Sequence, residues 1–515
     1  MTLTSKFLQA GPIRVRYENG FLRYISFHNT EIVRMIYFAI RDHNWQTISV
    51  TITDESIVEH LDSFEVKYNW HTVDTAIQMT GEVVIQGNEQ GTITVRFYGK
   101  ALSAFQKNRI GLCVLHPIDG ILGQPVQIIT PDGHTSDHYF PTSINPHQPF
   151  LNIQSMRWRP LSGSTWQLDF WGDVFETEDQ RNWTDASFKT YSTPHDLPFP
   201  VAVASGTEFR QQVLFRVADQ ALADTSNWAE LSKWEQIRET AQASLPRIGL
   251  GQRTNGPCLI ATEAALLRSL NLSHLRVDVF FSLPNWQTLL TNAIADARQL
   301  GVSLEMAVFF GSDPVFELNL LRQFMDRWPV PIQSILLFDE ASLTTSNKLL
   351  QALVPVLRRE WAGVAVGGGT DDNFAELNRN RFDFDLVDFV TYSVNPQAHA
   401  FDDLTIQENI AGQSETALSA RHISGGKPVH ISPVTLRSRY VTVAGSAIER
   451  QNTPIDHRQA TEFAADWTRA SLIALARAGV ASVTYYQSHG AGGLLSGDCT
   501  FPVYATLKER EKFLS

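Results

Sequence analysis

The hydrophobic pattern changes period near residue 226, and no other feature limits the fold as strongly. Before that point apolar residues alternate with polar ones. Ile13, Val15 and Tyr17 are interleaved with Arg14 and Arg16, Glu18-Asn19-Gly20 supplies a hairpin turn, and residues 21–27 follow as a second strand. Similar runs recur at 47–53, 64–68, 82–85, 92–98, 110–115, 126–129, 166–170 and 209–217. Gly, Asn, Asp and Pro separate many of them. Strands joined by short turns predict an antiparallel sandwich or barrel, and the sandwich is the expected fold of residues 1–225. Residues 226–246 then read as a linking helix. Trp228, Leu231, Trp234 and Ile237 recur at helical spacing, Thr225 or Ser226 is placed to cap it, and Pro246 ends it.

From residue 247 short apolar runs alternate with helical patterns. The strands are expected at 248–250, 274–279, 303–309, 332–338, 363–366, 386–392, 428–431 and 482–486. Helices at 286–300, 315–328, 349–361 and 462–478 fill gaps between them. Eight such units in 247–515 predict a (β/α)8 TIM barrel. A doubly wound open sheet is the alternative, but the first turn, Gly249-Leu250-Gly251-Gln252-Arg253-Thr254, lacks the third glycine of a dinucleotide fingerprint. The chain is thus multidomain, β followed by α/β. Its 515 residues alone suggest about three domains, and the period change makes two.

Composition narrows the partners. Apolar residues at 43% and charged residues at 19% are those of an ordinary folded protein. A net charge of -12 with no basic face argues against nucleic acid. Cys113, Cys258 and Cys499 are too few and too scattered for a disulfide framework or a zinc pair. The N-terminus has no signal-like apolar core, and the apolar stretch 471–486 contains Arg477 and is too short to span a bilayer. A cytoplasmic location without membrane or cofactor is expected; the oligomeric state stays open.

In such a barrel the chemistry gathers where strands end. Those positions carry Arg276-Val277-Asp278, Glu305, Asp339-Glu340, Gly367-Gly368-Gly369-Thr370-Asp371-Asp372, Asn395, Gln397, His399 and Asp402. Thr435, Arg437, Arg439, Tyr485, Tyr486, Gln487 and His489 complete the ring. Carboxylates, amides and aromatics of this kind suit a polyhydroxylated ligand. Glu305 lies in an apolar strand, where it either pairs with Arg276 or serves the site directly. Glu340 also has a plain reading as a helix-start carboxylate. The triple glycine reads as a sharp turn more readily than as a phosphate cradle, since no Lys-Ser/Thr follows. His134 and His138 read as loop histidines, and neither a His-Glu-x-x-His nor a Gly-x-Ser-x-Gly motif exists. The polar segment 178–191 reads as an inter-domain or site-facing loop.

The chain resembles the D-apionate lactonase family. The resemblance rests on Arg41-Asp42-His43-Asn44-Trp45, residues 108–117, 146–150, 178–194, 367–370, Phe374 with Glu376-Leu377-Asn378, 391–402 and Thr484-Tyr485-Tyr486. It implies a glycosidase-like architecture and hydrolysis of D-apionolactone to D-apionate. It also implies a further C-terminal β domain, expected to be absent because the sequence ends at Ser515 after what reads as the last barrel helix. A glutamate follows the Tyr-Tyr pair in the family pattern, and Gln487 stands there in this chain.

Chemistry, rather than the resemblance, suggests the roles. Glu340 is the first choice of general base, His399 the second and Glu305 the third. Arg276 or Arg437 would stabilise an oxyanion. Asn395, Gln397 and Gln487 would read hydroxyls, with Asp402 and Tyr485 beside them, and Arg181, Asp185 and Lys189 would close the site. No metal is required. Two rival readings are a glycoside hydrolase that pairs Glu340 with Glu305, and a sugar-binding protein without turnover.

Overall fold

The computed structural model describes residues 5–74, 76–223, 225–241, 243–253, 256–440 and 453–513. The chain divides into two compact units: Met1–Gln180 with Ser187–Trp234, and Arg181–Ala186 with Glu235–Ser515.

Two nine-stranded antiparallel sheets build the first unit. Alternation decides their facing. Phe64–Thr72 and Ile93–Ala101 bury every second residue. Phe38 of one sheet packs on Trp70 and Phe97 of the other, and Trp166 stacks on Phe215 within the core. This is a sandwich. Strands absent from the sequence reading include Phe175–Asp179 and Ser187–Tyr191. They form an antiparallel hairpin across the polar segment expected to be a loop, and nearly all of it is buried. Its hydrogen-bonding side chains pair with one another, as Tyr191 with Glu176 and Lys189 with Glu178, so polarity there does not mean solvation. His138 sits on the strand Thr135–Tyr139, beside Ser136.

In the second unit eight parallel strands close into a barrel. In order they are Arg247–Gly251, His274–Phe280, Ser303–Phe310, Ile332–Asp339, Ala365–Gly369, Phe389–Val394, Val429–Val434 and Ser482–Gln487. The helix predicted at 286–300 is Trp286–Leu300, closed by Gly301 at φ 72°, a left-handed position that suits glycine. Strands 5 and 6 lie two to three residues later than predicted. Gly367–Gly369 are in strand 5 rather than in a turn. A Cβ on Gly367 would lie 2.4 Å from the Phe389 ring and 2.8 Å from Leu336, so glycine there makes room for side chains that fill the barrel. Neither the phosphate cradle nor the sharp turn is its purpose. Thr254 of the first turn lies outside the described residues.

The barrel interior has two different sectors. Phe280, Phe309, Leu336, Phe338 and Phe389 point inward from strands 2, 3, 4 and 6 and pack with Leu343 and Tyr440. Phe280 and Phe309 stack with centroids 3.9 Å apart. That apolar plug fills one side of the mouth. Polar side chains occupy much of the rest, among them His274, Arg276, Glu305, Ser432 and Thr484.

Candidate active site

On strand 2 the alternation turns His274, Arg276 and Asp278 inward. Arg276 is almost fully buried. Its Nε donates to Asp278 Oδ1 at 2.9 Å, its Nη1 to Ser432 Oγ at 3.0 Å, and its Nη2 to Asp371. Arg439 brings a second guanidinium, donating to Asp371 at 3.0 and 3.1 Å and also to Asp278. The Tyr440 hydroxyl donates to Asp371 as well. Two arginines thus face two aspartates in a buried, formally neutral cluster. Burial alone would raise the Asp278 pKa, but Arg276 and Arg439 more than offset it and hold the carboxyl below its usual range. Burial pushes the Tyr440 phenol far up, so it stays a donor.

Below this cluster lies a layer of hydroxyls around Glu305. Ser432 donates to Glu305, and Ser334 and Thr484 each donate to it at 3.3 Å. Thr484 also meets His274 Nε2 at 2.8 Å. Burial opposes the ionised Glu305, yet the facing His274, His430 and Arg276 and the Ser432 hydroxyl hold its pKa below the ordinary value. Burial lowers the pKa of His274 and His430, the latter to about 3, against the opposing pull of Glu305.

Above the cluster a cavity of about 280 Å³ opens, lined by the ends of strands 1, 2, 7 and 8 and the segments that follow them. Arg276, Asp278, Arg437, Arg439, Asp456 and Gln487 are among the polar residues of its wall, with Arg253 beside them. Burial works against an ionised Asp456, but the Gln397 amide and Arg458 outweigh it and its pKa is lowered. Gln397 Nε2 donates to Asp456 at 2.7 Å and to the Leu436 carbonyl at 2.6 Å.

Of the residues singled out in the sequence, Arg276, Arg437 and Gln487 line this cavity, and Gln397 braces its wall. The others lie elsewhere. Glu305 is sealed in the interior beside Arg276, its neighbour on the adjoining strand, and shares Ser432 with it, so it supports the cluster rather than facing a ligand. Glu340 stands on the rim after strand 4, accepting from Ser282. Neither carboxylate lines the cavity, so the paired geometry of a glycosidase is not formed there. Asp402 caps the helix Asp403–Glu408 through Thr405. Tyr485 points outward, because Thr484 takes the inward position, and bonds Ser471 of the helix Glu462–Arg477. Asn395 donates to Asn373 at 3.2 Å. Arg181 is fully buried and paired with Glu415 at 3.1 Å, which removes it as a ligand contact. Lys189 pairs with Glu178 inside the first unit.

His399 and Asp185 do come together. His399 Nδ1 lies 2.6 Å from Asp185 Oδ2, and Asn409 donates to Asp185 Oδ1 at 2.9 Å. The imidazole packs edge-on against Trp183. A buried carboxylate that takes Nδ1–H leaves Nε2 as the basic nitrogen. The sequence reading placed Asp278, Asp371 and Arg439 at strand ends without giving them a role, and it did not name Tyr440 or Asp456. Asp278 and Arg439 were each two residues from a chosen arginine, and alternation could have raised Asp278; the position of Asp371 after strand 5 was seen, but not its partners. Among the described residues no group of histidine, cysteine or carboxylate side chains is arranged to hold a metal, and no helix is long and apolar enough to cross a membrane.

A closed parallel barrel that opens at the C-terminal ends of its strands onto a charged cavity defines a barrel enzyme for a small polar substrate. The comparisons name the family. The D-apionate lactonase N-terminal domain matches residues 2–220, and the TIM barrel domain of the same family matches 248–513. The chain belongs to the D-apionate lactonase family and is thereby a lactone-hydrolysing enzyme. It is 28% identical to the D-apionate lactonase of Brucella anthropi over 512 residues, covering 95% of this chain and 83% of that one. Among solved structures, the β-glucuronidase of Ruminococcus gnavus aligns over 90% of this chain and 68% of its own, at 9% identity and a TM-score of 0.37. A β-arabinopyranosidase aligns over 88% and 77%, at 8% identity and 0.28. These two likenesses are distant.

Proposed function

We propose that this chain opens D-apionolactone to D-apionate. Water adds to the lactone carbonyl, the acyl carbon–ring oxygen bond breaks, and the ring oxygen leaves as an alcohol. The observation that carries the reading is the match of both family domains, which spans almost the whole chain. The charged cavity supports it, since the reaction needs a polar pocket closed enough to orient a small ring.

The roles follow from what each group has free. Water must lose a proton as it attacks, and the carbonyl oxygen gains charge. His399 is the proposed base, because Asp185 holds Nδ1 and leaves Nε2 to accept the proton. Glu340 is the second choice, and Glu305 is too enclosed. Arg276 is fully engaged by Asp278, Asp371 and Ser432, so Arg437 is the proposed partner of the oxyanion. Gln487 reads a ring hydroxyl.

The test is acid release from D-apionolactone by the purified chain, followed in a pH-stat. Wild type is expected to turn it over. His399→Gln is expected to lower kcat by about 100-fold or more, the usual share of a general base, with a smaller change in KM. A folded wild type that leaves the lactone at background rate overturns the function. Full activity in His399→Gln with loss in Glu340→Gln moves the base to Glu340.

A further inference from the structure

The charges around the cavity do not cancel. Arg276 and Arg439 are balanced by Asp278 and Asp371. Asp456 is paired with Arg458 at 3.1 Å, whose other carboxylate partner, Asp403, stands outside the cavity wall. Arg253 has partners of its own. Arg437 is different. It lines the cavity and is exposed, and its guanidinium makes no ion pair or hydrogen bond among the described residues. Its backbone is nevertheless held. Thr435 Oγ1 donates to the Arg437 carbonyl at 2.6 Å, and Gln397 pins the neighbouring Leu436 carbonyl. A chain with a net charge of -12 therefore keeps in its cavity wall a cation that, among the described residues, has no charge partner. A neutral lactone has no charge to match it. A carboxylate does, and a guanidinium binds a carboxylate through two parallel N–H donors.

We infer that the cavity is a carboxylate site in which Arg437 holds the ring-opened sugar acid more tightly than the neutral lactone. The identity of that acid rests on the lactonase reading; the preference for an anion does not. The consequence is inhibition by product. Each turnover leaves the cavity occupied by the form of the sugar it binds best.

Binding to the full chain is measured by titration calorimetry with D-apionate, with D-gluconate and with the uncharged polyol D-sorbitol. Wild type is expected to bind both acids, each more tightly than the polyol, and to lose acid affinity as salt is raised. Arg437→Gln is expected to weaken both acids by about 10-fold or more, the range of a charge-assisted hydrogen bond, and the polyol by less than about 3-fold. Arg437→Lys, which keeps the charge without the fork, is expected to fall between them. Circular dichroism checks that each variant is folded, and the lysine variant carries the comparison if the glutamine variant is not. The inference is overturned if wild type binds neither acid, if the acids bind no better than the polyol, or if the folded variants bind acids like wild type. Arg437-dependent gluconate binding without lactone turnover would leave the anion site standing and remove the lactonase reading. Turnover without acid preference would do the reverse.

Discussion

Replacing Asp371 by leucine tests the claim that the barrel mouth is held by a balanced ion cluster. Asp371 is buried and accepts from Arg276, Arg439 and Tyr440. With it the cluster sums to zero; without it, two guanidiniums share one aspartate and the buried charge is +1. The Arg439–Asp371 contact at 3.0 Å corresponds to about 5–6 kcal/mol of attraction at an effective dielectric constant of about 20. Removing one partner of a buried pair costs about 3–5 kcal/mol, because the other charge stays buried. At roughly 2–4 °C per kcal/mol for a domain of this size, Asp371→Leu is expected to lower the barrel's Tm by about 6–20 °C. The decisive variant is Asp371→Leu with Arg439→Met. It leaves the neutral Arg276–Asp278 pair, at 2.9 Å, and should recover much of the loss. Thermal and urea unfolding of wild type, both single variants and the double variant form the cycle. Additive losses would refute the reasoning, since they would mean that each residue matters for its own packing and not for the balance of charge.

Two other outcomes follow from the structure. Burial lowers His116 and His430 from 6.5 to about 3, so the unfolded chain binds protons that the folded chain refuses. Their contribution to stability is full above about pH 6.5 and falls as pH drops toward 3; urea midpoints from pH 8 to 4 should show the slope, and His116→Asn should flatten it. Gly367→Ala should cost about 1–3 kcal/mol by pressing a methyl group into Phe389, with Phe389→Leu in the same chain restoring part of it; an alanine variant as stable as wild type would contradict the packing argument.

The fold was largely legible because both units repeat a short-range signal. Period 2 over Ile13–Glu18 and Phe64–Thr72, and the helical period over Trp286–Leu300, are properties of neighbours in sequence. The end of strand 5 was missed because three glycines look locally like a turn, and only their closeness to Phe389, Phe382 and the Thr391 backbone explains them. The hairpin at Phe175–Tyr191 escaped because both of its faces are buried and most of its side chains are polar, so alternation of hydrophobicity carries no mark of it.

The site was legible in kind and not in arrangement. Reading off strand ends found Arg276, Arg437, Gln487 and His399, and the polar segment 178–191 supplied the Asp185 that His399 meets. The strand ends also gave Asp402 and Tyr485, and the polar segment gave Arg181, which serve a helix cap, a strand–helix contact and a buried ion pair. A strand end says that a side chain is near the mouth. It does not say whether a partner already holds it. Arg276 meets Asp371 from 95 residues away and Ser432 from 156, and those meetings exist only because the barrel closes. The period of the sequence alone determined two units, a sheet sandwich and an eight-stranded barrel. Closure of that barrel decided which charges cancel, and so left Arg437 as the one cation of its cavity wall, among the described residues, with no partner.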